Sequence, residues 1–186
     1  MTNPPRKIIT SSGKEILIFD NLFDLTARTY FYDFALHSKY SPLTKDTTFL
    51  EHGADFNLAC HFSAEDLEAI KFLSHPSCKQ LEKYFNGFNI KQVRINLTTL
   101  NDNNRIHVDN TKECKTLLYY LNLDWKLEWG GSLTIASEDV VEIEHSISCV
   151  PGRLIIMDGT LPHCISAPTN LAPTYRFSLV IQYVSE

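Results

Sequence analysis

No stretch of this chain reaches the apolar length needed to cross a bilayer, and Met1-Thr-Asn-Pro-Pro-Arg6 lacks the apolar core of a secretory signal. The expected compartment is the cytoplasm, with no membrane partner. Basic charge is scarce: the formal net charge is −5 at pH 7. That balance argues against a surface built to wrap a phosphate backbone, so nucleic acid is not an expected partner. A disulfide framework is missing too. The five cysteines, Cys60, Cys78, Cys114, Cys149 and Cys164, are odd in number and irregular in spacing, which reads as free thiols in a reducing compartment. There is no internal repeat, no low-complexity tract and no linker that would split the chain.

What remains is one ordinary globular domain of 186 residues, 44% hydrophobic and 21% charged, enough for a sizeable core. Ile16–Phe19 reads as a short buried strand. Asn21 or Asp24 would cap a helix running to about His37. Ser41–Thr48 is polar and aperiodic, and the segment 41–61 is a candidate lid. Ser63-Ala-Glu-Asp66 opens a second helix with a capping-box pair, His75-Pro76 interrupts it, and a third helix ends at Asn86-Gly87. From about Val93 the pattern changes to eight short β-rich runs: Val93–Thr99, Arg105–Val108, Thr116–Leu121, Ser132–Ile135, Val141–Ile147, Arg153–Met157, His163–Ser166 and Tyr175–Val184. Trp129-Gly130-Gly131 and Pro151-Gly152 mark sharp breaks. The expected fold is mainly β with N-terminal helices: a double-stranded β-helix, or jelly roll, over 91–186, packed on a helical support region over 1–90.

The chemistry sits in Arg105-Ile-His107-Val-Asp109-Asn110. A His and an Asp two residues apart in an extended run place an imidazole and a carboxylate on one face. Alone, His-x-Asp is a common accident. Joined by His163, which opens a later strand, it makes two histidines and one carboxylate, a set that suits Fe(II) with open positions. Arg176 lies in an apolar strand beside Phe177, Leu179 and Val180, where an unpaired buried charge is costly. It either faces solvent, pairs with a nearby acid, or grips the carboxylate of a ligand with both prongs of its guanidinium.

These residues resemble the motif of the Fe(II)- and 2-oxoglutarate-dependent dioxygenases. His107-Val-Asp109-Asn110, Tyr119-Tyr-Leu-Asn122, Asp124-Trp125 and Gly130-Gly131-x-Leu133 are similar to the oxygen-sensing prolyl hydroxylases and their bacterial relatives, over about Val93 to Val184. The resemblance implies that His107, Asp109 and His163 are the catalytic iron ligands. It implies that Arg176 pairs with the distal carboxylate of 2-oxoglutarate, that Tyr120 donates to the same carboxylate, and that Leu118 and Leu133 line the slot around its methylenes. The other reading of Tyr120 is a plain core aromatic. The cofactors implied are Fe(II), 2-oxoglutarate and O2, with ascorbate as a stimulant. The reaction implied is hydroxylation of an unactivated C–H with release of succinate and carbon dioxide.

Two departures stand out. The branch has a Tyr before its His-x-Asp strand, whereas this chain reads Arg94-Ile-Asn96-Leu-Thr-Thr99, which makes Asn96 the substitute. The gap from His163 to Arg176 is longer and holds Pro168 and Pro173. Arg176-x-Ser178 matches other branches, in which the Ser hydroxyl helps to bind the same carboxylate. The expected substrate is a residue of a protein or peptide, proline among them. Alternatives are a free or carrier-bound amino acid or other small metabolite, and a non-catalytic jelly-roll binding module. A nucleic-acid demethylase would carry a second Arg where this chain has Gln182. The other five histidines read as structural, and Cys60, His61, His75 and Cys78 fit no common zinc spacing.

Overall fold

Alternation along the last strand sets the architecture. Arg176, Ser178, Val180 and Gln182 point one way, and Phe177, Leu179, Ile181 and Tyr183 point the other. A computed structural model describes residues 4–42, 58–100, 102 and 105–185. Their strands are β1 (Arg6–Ile9), β2 (Glu15–Phe19), β3 (Ser41–Pro42), β4 (Leu58–Phe62), β5 (Phe88–Thr98), β6 (Cys114–Tyr120), β7 (Leu133–Ala136), β8 (Ile143–Ile147), β9 (Leu154–Asp158), β10 (His163–Ile165) and β11 (Arg176–Ser185). Eight form one antiparallel sheet in the order β1-β2-β9-β6-β11-β5-β4-β3, and β10-β7-β8 form a second. Two antiparallel sheets flanked by helices make the expected jelly roll.

The outer face of the large sheet carries the larger core. Leu97, Leu117, Tyr119, Leu154, Ile156, Phe177, Leu179 and Ile181 pack against Phe31 and Ala35 of helix α1 (Leu25–His37) and Leu67 of helix α2 (Ala64–Ala69). Phe23 joins the rings of Phe31, Phe72 and Tyr119 at centroid distances of 5.1, 5.1 and 5.2 Å. Each fully buried aliphatic side chain here, Leu67, Leu81 and Leu117 among them, contributes about 1.5–3 kcal/mol. The inner face forms a second cluster with the small sheet, through Leu118, Tyr120, Val180 and Met157 against Leu133, Ile135 and Ile147.

Local signals account for the helices. Asp24 caps α1 by accepting from the Ala27 amide at 2.8 Å, and Ser63 and Asp66 form the expected capping box on α2. Four expectations need correction. The segment before residue 90 is not only a helical support, since it supplies β1, β2, β3 and β4 to the large sheet. The third helix is a 3-10 helix, Pro76–Tyr84, started by Pro76 behind a His75 cap. Ser41–Pro42 pairs with β4, while 43–57 of the expected lid, His52 included, lies outside the described residues. Arg105–Val108 is not a strand. Only His107 pairs, in an isolated bridge to His163. No helix among the described residues is long and apolar enough to cross a membrane.

Candidate functional site

That isolated bridge is what assembles the centre. The His107 amide donates to the His163 carbonyl and the His163 amide to the His107 carbonyl, both at 2.9 Å. This is one hydrogen-bonded antiparallel pair, which holds the two backbones close. The Asp109 amide then donates to the Gly159 carbonyl at 2.8 Å, turning the chain so that the carboxylate faces both rings. One coordinating atom each from His107, Asp109 and His163 lies within 4.8 Å of the others. His163 Nε2 is 3.7 Å from Asp109 Oδ2, and His107 Nε2 is 3.9 Å from Oδ1.

Neighbours fix each of the three. His107 Nδ1 meets the Arg105 carbonyl at 2.9 Å and His163 Nδ1 meets the Leu161 carbonyl at 2.8 Å. A carbonyl only accepts, so the proton sits on Nδ1 and each Nε2 turns a lone pair to the centre. Burial holds the His163 imidazole below the usual range, aided by the charges of His107 and Arg94 and opposed by Asp109, which keeps it neutral and able to ligate. Asp109 accepts from Thr116 Oγ1 on one oxygen and from Gln182 Nε2, at 2.5 Å, on the other. Gly159 lets this packing close. A Cβ there would stand 2.6 Å from Cys114 Sγ and 3.0 Å from Thr116 Oγ1.

Beyond the triad, the inner face of the large sheet carries a row of buried polar groups. Ser178 pairs in register with Asn96 on one side and Tyr120 on the other, and Arg176 with Thr98. Arg176 is 1% exposed. Its Nη2 donates to Thr98 Oγ1 at 2.8 Å and its Nη1 to the Gly131 carbonyl at 3.4 Å. No carboxylate among the described residues lies within 4 Å of it. Its guanidinium sits 5.5 Å from the Tyr120 ring centroid. Arg176 Nε, the Tyr120 hydroxyl, Ser178 Oγ and Asn96 Oδ1 are buried without hydrogen-bond partners. Native interiors rarely leave such atoms unmatched; the three that can donate, Arg176 Nε and the two hydroxyls, share one face and fit an anionic ligand, while Asn96 Oδ1 only accepts. Leu118 and Leu133 belong to the apolar cluster around them. Gly131, at φ +75°, permits the close approach: a Cβ would meet Arg176 Cδ at 2.7 Å.

The structure thus brings His107, Asp109 and His163 together and sets Arg176, Tyr120, Ser178, Asn96, Leu118 and Leu133 on or against one inner face. Sequence reasoning did not assign Thr116 or Gln182 to Asp109, nor Thr98 to Arg176. The parity of β6, β11 and β5 carried that signal, because all three residues share the inner face. Cys60, His61, His75 and Cys78 form no metal cluster; the triad is the one such group among the described residues. The donor set suits Fe(II), and a buried guanidinium behind it suits a carboxylate-bearing cosubstrate.

Comparison with known proteins agrees. Residues 94–183 match the family model of the 2OG-Fe(II) oxygenase superfamily. Among solved structures, a prolyl hydroxylase from Trichoplax adhaerens, in complex with a peptide fragment of the hypoxia inducible factor oxygen degradation domain, is similar at 18% identity. Its TM-score is 0.67, over 91% of this chain and 83% of that one. An oxidoreductase of the 2OG-Fe(II) oxygenase family from Burkholderia pseudomallei is similar at 13% identity, TM-score 0.68, over 91% and 84%. A non-heme alpha ketoglutarate dependent epimerase from nogalamycin biosynthesis is similar at 14% identity, TM-score 0.65, over 91% and 77%. At these identities the structural likeness speaks to fold alone. No curated protein matches the sequence. The matched stretch spans both histidines, the aspartate and the buried arginine, and with the geometry of the triad it supports catalytic Fe(II)- and 2-oxoglutarate-dependent oxygenase activity.

Proposed function

We propose that this enzyme hydroxylates an unactivated C–H bond in a residue of a protein or peptide, proline among the candidates, in the cytoplasm. His107, Asp109 and His163 would hold the iron. Arg176 would take the distal carboxylate of 2-oxoglutarate, with the Tyr120 and Ser178 hydroxyls donating beside it and Asn96 in the place of the branch's Tyr. Leu118 and Leu133 would pack its methylenes. The observation that carries this reading is the fully buried Arg176, with no carboxylate within 4 Å among the described residues, flanked by two unpartnered hydroxyls. When bound, iron and cosubstrate supply the oxidising power. The chain's own work is placement. Gln182 and Thr116 orient the Asp109 carboxylate. The carbonyls of Arg105 and Leu161 keep both imidazoles in the ligating tautomer. The apolar cluster of the inner face keeps water from the carboxylate-binding end around Arg176.

The likeness of Tyr119-Tyr-Leu-Asn122 and Gly130-Gly131 to the oxygen-sensor branch supports a peptide substrate. Ile106 and Val108, each 39% exposed beside His107, offer apolar surface to a chain laid across the mouth. The second reading is a small metabolite, supported by the fold shared with an epimerase of nogalamycin biosynthesis. Purified protein with Fe(II), ascorbate and 2-oxoglutarate should release succinate. A candidate peptide or a metabolite extract should then gain the mass of one oxygen atom. Absence of both metal binding and succinate would end this reading.

A further inference from the structure

The inner face holds a second guanidinium, half-buried, that the scheme above leaves idle. Arg94 lies on β5, in register with Val180 of β11 and His61 of β4. One of its terminal nitrogens, Nη1, donates to Gln92 Oε1 at 3.1 Å. Its Nε is shut off from solvent and meets no acceptor. No carboxylate among the described residues comes within 4 Å of it. Arg94 lies near the metal centre nevertheless: Gln92, its hydrogen-bond partner, pairs in register with Gln182, whose amide holds Asp109.

Position separates Arg94 from the Arg176 pocket. Arg94 is four residues along β5 from Thr98, the cross-strand partner of Arg176. At roughly 3.3 Å per residue that is about 13 Å of strand, too far for one carboxylate to serve both cations. The two ends also differ in exposure. Thr98, Arg176, Ser178 and Tyr120 are buried, whereas Gln92 is half-buried and His61, whose Nδ1 lies 3.1 Å from Gln92 Nε2, is exposed. Arg94 therefore stands on the metal side, where the barrel opens. Asp109, held at that end by Gln182, is committed to the metal in this reading. A cation beside a dication repels it, so the arrangement is stable when a further anion arrives between them. Because Nη1 is tied to Gln92, the free edge runs along Nε, and that side-on edge matches the two oxygens of a carboxylate.

We infer that Arg94 is a second carboxylate receptor at the metal face, distinct from Arg176. The inference rests on the metal and cosubstrate reading above. The carboxylate is either the iron-side end of 2-oxoglutarate or a carboxylate of the substrate that enters after it. Calorimetric titration of 2-oxoglutarate into Fe(II)-loaded protein without oxygen separates the sources, comparing wild type, Arg94→Gln, Arg94→Met and Arg176→Gln. Melting curves and Fe(II) affinity of each variant report folding and the metal site. If the cosubstrate is the source, both Arg94 variants bind 2-oxoglutarate roughly 10–100-fold more weakly, the span expected for losing a hydrogen bond to a charged group. If the substrate is the source, 2-oxoglutarate binding is unchanged. Acetate, and not acetamide, then alters the electron paramagnetic resonance spectrum of the Mn(II)- and 2-oxoglutarate-loaded wild type, and fails to do so in the variants. Unchanged 2-oxoglutarate binding with no acetate effect overturns the role of Arg94. Unchanged binding in Arg176→Gln overturns the cosubstrate reading instead.

Discussion

Replacing Gln182 with Leu should cost metal affinity without touching a ligand. Gln182 Nε2 donates to Asp109 Oδ1 at 2.5 Å, and Thr116 Oγ1 holds the other oxygen. The Asp109 side chain is only 4% exposed, so solvent cannot take over from a lost donor. A hydrogen bond to a charged acceptor is worth about 1.5–3 kcal/mol, and 1.4 kcal/mol is a factor of about ten. Gln182→Leu should therefore bind Fe(II) or Mn(II) about 10–100-fold more weakly, the range typical of groups that orient a metal ligand. Leu keeps the volume and adds no cavity, so the fold should survive. Thr116→Val removes the other donor with little change in shape. Because both groups orient one carboxylate, the double variant should lose less than the sum of the single losses. The assay is a competition titration against a chelator of known affinity, with circular dichroism to confirm the fold. Metal affinity of Gln182→Leu within twofold of wild type would show that Asp109 needs no such support, and the argument from hydrogen-bond geometry would fail.

Asp109→Ala should abolish succinate release from 2-oxoglutarate, and an Ala variant with full turnover would remove the iron assignment. Gly131→Ala should weaken 2-oxoglutarate binding more than metal binding, since its Cβ would stand 2.7 Å from Arg176 Cδ. It also carries a left-handed backbone penalty of about 1–2 kcal/mol, to be read as a lower denaturant midpoint. Equal affinity for 2-oxoglutarate in wild type and variant would separate Gly131 from the pocket. Asp20 is held below the ordinary carboxylate range by its hydrogen bonds to Arg153, against the opposing effect of burial. Its folded pKa is depressed, so the stability it adds is present above the unfolded carboxylate range and is lost as pH falls through the lower folded value. Asp20→Asn should be less stable than wild type near neutral pH, and the two should converge as pH drops. A gap that persists in acid would contradict the linkage.

The site was more legible than the frame around it, for a physical reason. His107, Asp109, His163 and Arg176 stand out because ionisable residues are expensive inside apolar strands and need a purpose there. The caps at Asp24 and Ser63 were legible because capping is local, involving three or four consecutive residues. What was not legible depends on partners distant in sequence. β4 has no strict alternation of its own; it exists because Leu58–Phe62 finds the edge of β5. The His-x-Asp pair was expected to converge through strand parity. It converges because Asp109 is tied to Gly159 and His107 to His163, and neither tie has a signature within 105–110. Gln182 reads as an ordinary strand residue until Asp109 is placed opposite it.

The centre's location explains why these ties matter. His163 begins a strand of the small sheet, Gln182 and Thr116 belong to the large one, and His107 and Asp109 lie on the connection between β5 and β6. Three pieces of the chain far apart in sequence meet at one point. A metal bound there joins both sheets, and it binds the folded chain in preference to the unfolded one. It therefore stabilises the fold by RT ln(1 + [M]/Kd), about 2.7 kcal/mol at a hundred times the dissociation constant. The same logic reaches the pocket behind it. Arg176 and the unpartnered hydroxyls of Tyr120 and Ser178 are a desolvation cost to the folded chain on its own. An anion that satisfies them relieves that cost, so ligand affinity at this face is drawn in part from strain the fold already holds. Replacing the group with a neutral apolar trio would stabilise the apoprotein and leave nothing to bind.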